Sequence, residues 1–301
     1  MIRLGRSHGE HARLPRAPVR LCDRRDELGV TGGLPRMIGV FDSGVGGLTV
    51  LRALVAELPA EQFVYLGDTA RLPYGTKSAE TVVRYALQAS EALAAFRLKC
   101  LVIACNTASA VALPAVRARI ASVPVIGVIE PGAEAACAAS RSGHIAVIAT
   151  EGTVRGGAYQ QAILRRRHAA QVTAVPAPLF VALAEEGLCE GPIAAAVAHH
   201  YLDPLFAAAG RIDTLVLGCT HFPMLAGAIR GVVGARIGIV DSAQTTARHV
   251  RQALEQAGIA ATGGEGGVRL LATDAPQRFA RVGARFLARP IAPDEVTLID
   301  L

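Results

Sequence analysis

Two cysteines stand where an apolar run gives way to polar residues, in Leu101-Val-Ile-Ala-Cys105-Asn106-Thr107-Ala108 and in Leu215-Val-Leu-Gly-Cys219-Thr220-His221-Phe222. Each run reads as a buried parallel strand, and α/β proteins place their ligands at the carboxyl edge of such strands. Two thiols presented in this way face one pocket from two related units. That suits a reaction in which one thiolate removes a proton and the opposite thiol returns one from the other side. A single free cysteine on an apolar strand is more often inert packing, and Cys22, Cys100, Cys137 and Cys189 are left in that class. Cys105 and Cys219 differ because hydroxyl, amide or imidazole groups follow them, able to tune a thiolate or bind a polar ligand.

Metal chemistry is not indicated, since no Cys-x-x-Cys or His-x-x-x-His spacing supplies four ligands around either site. A disulfide framework is excluded by the length of the chain and the lack of a secretory signal. A third strand-to-helix junction, Asp42-Ser-Gly-Val-Gly-Gly47-Leu48-Thr49, is a glycine turn that lets backbone approach an anion at a helix start. Its Gly44-x-Gly46-Gly47 lacks the spacing of a dinucleotide fingerprint, so NAD or FAD is not expected. Asp42 repels a phosphate and favours a ligand with an ammonium group or one needing a base, although a helix N-cap is its bland alternative.

The elements that must position these residues alternate in type. Short apolar runs at 37–41, 63–67, 101–104, 125–129, 145–149, 172–174, 215–217 and 236–240 are separated by helix-length stretches such as 78–96, 156–168, 192–209 and 243–258. Residues 263–301 add a helix over 274–287 between two strands. The alternation predicts βαβ units and a mainly parallel sheet. The recurrence of strand-to-Cys at 105 and 219 predicts a duplicated α/β lobe, each with a mainly parallel sheet flanked by helices and the active site between them. The lobes are expected over 37–127 plus 241–301 and over 128–240.

The 301 residues carry a net charge of +6, but residues 1–36 alone hold eight arginines against four acidic residues. The body is too weakly basic for an extended phosphate-binding surface, so nucleic acid is not an expected partner. Residues 1–36 are rich in Arg, Pro and Gly without periodicity, which reads as a disordered extension. No apolar run of about 18 residues suggests a membrane span, and the reading is a cytoplasmic protein of a reducing compartment.

Five segments together resemble glutamate racemase of the aspartate/glutamate racemase superfamily: 38–48, Gly67-Asp-Thr-Ala-Arg-Leu-Pro-Tyr-Gly-Thr76, Cys105-Asn-Thr-Ala-Ser109, Gly127-Val-Ile-Glu-Pro-Gly132 and Leu217-Gly-Cys-Thr-His-Phe-Pro223. The resemblance runs from Met37 to the end. It implies two α/β lobes, commonly in homodimers, and interconversion of L- and D-glutamate for peptidoglycan and cell shape, without cofactor. Cys105 and Cys219 would be the acid/base pair, acting on the D- and L-enantiomer respectively, with Asp42 and His221 assisting them. Asp42, Ser43, Tyr74 with Gly75, Asn106 with Thr107, Thr150, Thr153, Thr220 and His221 would contact substrate. Glu185 matches an acidic residue near the second thiol, with Glu186 one position away. Ala177 and Gly156 depart from the family pattern outside this set. No lysine lies in these motifs to hold pyridoxal phosphate.

Other classes keep parts of the pattern: an aspartate or hydantoin racemase keeps both thiols, an amino-acid-binding module needs neither, and a nucleic-acid or partner-binding protein would rest on the Arg-rich segment alone. Because residues 1–36 cannot form a core, a chain starting at Met37 is expected to keep its melting temperature and turnover. Thermal melts and assays of the truncated chain check this.

Overall fold

The first strand, β1 (Met37–Asp42), is buried along its whole length. Ile38 and Val40 enter one apolar core while Met37 and Phe41 enter another. This is the period-two pattern of a strand covered on both faces, and it explains why the run is continuously apolar. The computed structural model describes residues 36–208 and 211–301. The extension expected over 1–36 lies outside the described residues up to position 35. Arg36 falls within them, and its guanidinium donates to the Leu98 carbonyl at 3.2 Å.

After β1 come α1 (Leu48–Glu57), β2 (Gln62–Gly67), α2 (Ala79–Ala94), β3 (Leu98–Ile103), α3 (Asn106–Val111), α4 (Leu113–Arg119) and β4 (Val125–Gly127). The chain continues through α5 (Ile129–Ala139), β5 (His144–Ala149), α6 (Glu151–Gly156), α7 (Ala158–Arg166), β6 (Gln171–Pro176), α8 (Leu179–Glu186) and α9 (Gly191–Ala208). It ends with β7 (Thr214–Gly218), α10 (Ala226–Val233), β8 (Gly238–Asp241), α11 (Ser242–Gln256), β9 (Gly267–Ala272), α12 (Pro276–Leu287) and β10 (Val296–Leu298).

The strands form a six-stranded sheet in the order β10-β9-β2-β1-β3-β4 and a four-stranded sheet in the order β6-β5-β7-β8. Every strand pair is parallel. The fold is therefore α/β with two parallel sheets flanked by helices. The order β2-β1-β3-β4 repeats as β6-β5-β7-β8, which makes the sheets pseudo-symmetric and pairs the segment after β1 with that after β5, and the segment after β3 with that after β7. In each sheet the strand order reverses between the first and third strands of the unit. That reversal opens a crevice at their carboxyl ends, where open α/β sheets bind ligands. The edge strand β6 has no fully buried residue and ends on Pro176, a residue tolerated where no neighbour needs its missing N–H.

Two expectations about elements are corrected. The helix expected over 156–168 is α7 and starts only at Ala158: Gly156 closes the separate helix α6, and Gly157, with a φ of 63°, ends α6 and precedes α7; glycine takes this left-handed conformation without the Cβ penalty. The strand expected over 125–129 stops at Gly127, and Ile129 opens α5, where Pro131 sits in the first turn and so sacrifices no intrahelical bond.

The two units meet at their glycine and cysteine turns. A Cβ on Gly46 would lie 2.3 Å from Thr220 Oγ1 and 2.4 Å from the His221 ring. The Thr49 hydroxyl stands 2.9 Å from the Gly46 carbonyl and 3.0 Å from the Thr220 carbonyl, joining both turns. Gly46→Ala is expected to cost about 1–3 kcal/mol, as overpacked sites do, because Thr220 and His221 would have to move. Urea unfolding measures this, and an unchanged midpoint would mean that the turns separate freely.

Candidate active site

Both thiols lie at the carboxyl end of the third strand of their unit, Cys105 after β3 and Cys219 after β7. Each is only 5% exposed, and both line one cavity of about 290 Å³. Ser43, Tyr74, Gly75, Asn106, Thr107, Thr150, Glu185, Thr220 and His221 line the same space. Asp42 and Thr153 are buried behind the wall. The structure thus brings the sequence-derived set together, eleven residues at the cavity and two behind it.

Around Cys105 the local order follows from capping. Cys105 is the N-cap of α3, and its sulfur accepts the Ala108 amide at 3.4 Å. The Ser43 hydroxyl is 3.5 Å from the same sulfur. Asp42 Oδ2 accepts the Gly44 amide at 2.9 Å, while Oδ1 is buried with no hydrogen-bond partner. A carboxylate oxygen left bare in the interior is costly. Accordingly burial raises the Asp42 pKa against the opposing influence of His221 and the amides of Gly47, Gly44 and Ser43. Burial and the neighbouring Asp42 charge push the Cys105 thiol up to about 12, despite the Ala108 amide and Ser43 hydroxyl. Cys105 therefore holds its proton at neutral pH.

Cys219 has the opposite surroundings. His221 Nδ1 lies 3.8 Å from the Cys219 sulfur and 3.3 Å from Thr220 Oγ1, and its Nε2 lies 3.2 Å from Glu185 Oε1. Burial disfavours the imidazolium, but hydrogen bonds to Cys219 and Glu185 and the charges of Cys219 and Asp42 outweigh it, placing His221 at about 10. The bond from His221 is the chief reason that the Glu185 carboxyl sits below the usual carboxylate range, with Arg278 assisting and burial opposing. Glu185, not the exposed Glu186, is the carboxylate within reach of His221. One thiol thus has a carboxylate beside it and the other a cation.

Polar groups furnish the rest of the wall. Asn106 Oδ1 accepts the Tyr159 hydroxyl at 2.8 Å, which leaves its buried Nδ2 without a partner at the cavity. The hydroxyls of Thr107, Thr150 and Thr153 form a triangle with sides of 2.9, 3.3 and 3.0 Å. Thr150 caps α6 by accepting the Thr153 amide, so the triangle ties the segment after β5 to that after β3. The Tyr74 hydroxyl donates to Asp68, which also takes bonds from Arg71 and Thr273.

Sequence reasoning did not identify Pro178, Val181 and Ala182, which line the cavity from the α8 side, nor the arginines that reach Glu185. Asp68 lay within a recognised motif without a role. For the arginines no local pattern gave a signal. Among the described residues, no helix is long and apolar enough to cross a membrane.

Two related α/β units that set one thiol each against a single small cavity are the arrangement of an amino-acid racemase. Residues 38–260 match the model of the Asp/Glu/Hydantoin racemase family, and the chain belongs to that family. Among curated relatives, a glutamate racemase of Geobacter metallireducens is 49% identical over 253 residues, 84% of this chain and 93% of the relative. A crystal structure of a glutamate racemase isoform from Bacillus anthracis superposes with a TM-score of 0.84 at 37% identity, covering 88% of this chain and 98% of that one. A Francisella tularensis glutamate racemase in complex with D-glutamate gives 0.81 at 34% identity, covering 88% and 97%.

His221 is expected to titrate near pH 10 instead of the ordinary 6.5. Since the folded-state value is the higher, the hydrogen bonds of His221 to Cys219 and Glu185 stabilise the fold fully below about pH 6.5, and that contribution is lost as pH rises through about 10. An NMR titration of the His221 imidazole checks this, and a midpoint near 6.5 would show that the pair does not form.

Proposed function

We propose that the protein interconverts L- and D-glutamate by a two-base proton transfer between Cys105 and Cys219. The observation that carries this reading is that both thiols line one cavity with opposite electrostatic partners. The names of the curated relatives and the D-glutamate complex of the Francisella tularensis neighbour support glutamate as the substrate.

In the L-to-D direction, the Cys219 thiolate beside cationic His221 takes the α-proton. The Cys105 thiol delivers its proton to the opposite face of the resulting carbanion. The products are D-glutamate, a Cys219 thiol and a Cys105 thiolate, and the reverse direction exchanges the roles. Asp42 assists at Cys105 and His221 at Cys219, as groups within hydrogen-bond reach of a transferring proton do. The unpaired Nδ2 of Asn106 and the Thr107, Thr150 and Thr220 hydroxyls supply donors for the substrate carboxylates. Ser43, Tyr74 and Gly75 complete the contacts, and Thr153 holds the threonine triangle from behind.

In this reading the enzyme is a cytoplasmic homodimer that supplies D-glutamate for peptidoglycan and cell shape. Its lobes comprise 37–127 with 241–301, and 128–240.

Incubation with L-glutamate in D₂O without added cofactor is expected to remove the circular dichroism signal as deuterium enters the α-position. Absence of both changes refutes the function. Cys105→Ser and Cys219→Ser are each expected to lower racemisation by roughly 10²-fold or more. Each should retain one-sided elimination from a substrate with a good leaving group, and the two should prefer opposite enantiomers. Near wild-type racemisation by Cys219→Ser would reduce the chemistry to a single thiol.

A further inference from the structure

The Glu185–His221 pair is gripped by a helix that no local pattern connected to the site. Arg278 and Arg285 are seven residues apart on α12, two helical turns, and so share one face. Arg278 donates to Glu185 Oε2 at 2.7 Å, the oxygen that His221 does not use. Arg285 donates to the Glu185 backbone carbonyl at 3.0 Å. The next residue, Phe286, is fully buried and sets its ring edge-on to the His221 imidazole at 5.2 Å.

The end of α8 is shaped to receive this grip. Gly187 has a φ of 79°, and the amides of Gly187 and Leu188 cover the carbonyls of Ala184 and Leu183. The Glu185 carbonyl is thereby left to Arg285, as terminal helix carbonyls need partners from outside the helix. A Cβ at Gly187 would stand 2.5 Å from Arg285 Nη1, so a side chain there would displace the guanidinium.

We propose that α12, through Arg278 and Arg285, is the positioning element that holds Glu185 on His221 and thereby sets the proton-transfer geometry at Cys219. The two arginines touch neither the cavity nor the thiols; they act through Glu185. α12 itself packs on α1 and beside β10, next to the six-stranded sheet, whereas α8 follows the edge strand of the other sheet. The geometry on the Cys219 side therefore depends on the two units being in register. This inference rests on the reading of His221 and Glu185 as assistants of Cys219.

The test compares the full-length chain with Arg278→Gln, Arg278→Lys, Arg285→Gln, Glu185→Gln and the double variant Arg278→Gln/Glu185→Gln. Arg278→Gln and Arg285→Gln are each expected to lower kcat/KM for glutamate roughly tenfold, the scale of a misplaced catalytic partner. The fall should lie mainly in kcat. Arg278→Lys, which keeps one charged donor, should recover most of the loss. If Arg278 acts through Glu185, adding Arg278→Gln to Glu185→Gln should change kcat/KM less than twofold. Losses that multiply in the double variant overturn the proposal.

A second readout stands apart from activity. The buried His221 ring N–H should give a proton NMR signal that Glu185→Gln removes and Arg278→Gln weakens, at an unchanged melting temperature. An unaltered signal in Arg278→Gln overturns the positioning role even where racemisation itself fails, while a weakened signal in a chain that does not racemise glutamate supports the clamp and refutes only the function.

Discussion

The close approach of two strand-to-helix turns sets the rest of the site. Gly46 meets Thr220 and His221 with no room for a Cβ, and the Thr49 hydroxyl lies between the carbonyls of both turns. Parallel sheets place their functional loops at the carboxyl edge. When two such edges are pressed together at van der Waals distance, residues on separate sheets share one small cavity. Cys105 and Cys219 are 114 positions apart by their numbers, yet both line the same space. Similar contacts recur around it: Gly75 lies against Thr150, and Gly152 against the Gly75 carbonyl and Thr107. Glycine is required at these positions because the side chains of Thr220, His221, Thr150 and Thr107 and the Gly75 carbonyl occupy the space a Cβ would need, not for conformational freedom.

Within this frame the electrostatics are unequal on the two sides. Asp42 is a buried carboxylate on the Cys105 side, and its charge adds to burial in holding that thiol protonated. The Cys219 side carries an imidazole whose proton is retained by Glu185 and the sulfur itself. In a low-dielectric interior such neighbours decide which group carries a proton far more strongly than they would in water. The asymmetry suits the proposed two-base reaction, which needs an acid and a base at the same moment from two chemically identical side chains. The pseudo-symmetric sheets supply the identity, and the dissimilar turns supply the difference.

The Glu185–His221–Cys219 chain also shows how far the support of one side chain extends. Glu185 is held through its carboxylate by His221 and Arg278 and through its carbonyl by Arg285. Two of those three contacts come from α12, close to the end of the chain. A carboxylate on the last turn of an eight-residue helix would otherwise be a mobile surface group. Here it is fixed from a second element.

The sequence by itself determined the element types, the parallel character of the sheets and the candidates for chemistry, because these follow from short-range properties. Continuous apolar runs mark strands buried on both faces, and a thiol at a strand end followed by hydroxyl, amide or imidazole groups marks a ligand edge. Where local signals conflict, boundaries shift: Val128 and Ile129 continue an apolar run, yet Ile129 opens α5 with Pro131 in its first turn, and the helix expected from Gly156 starts only after the left-handed Gly157. Only the tertiary structure decided that Glu185 and not Glu186 reaches His221, that Asp42 keeps one bare oxygen in the interior, and that two arginines of α12 hold the acidic residue in place. The reason is physical: burial, pKa and hydrogen-bond reach depend on distances between residues far apart in the chain, and those distances exist only once the two sheets have met.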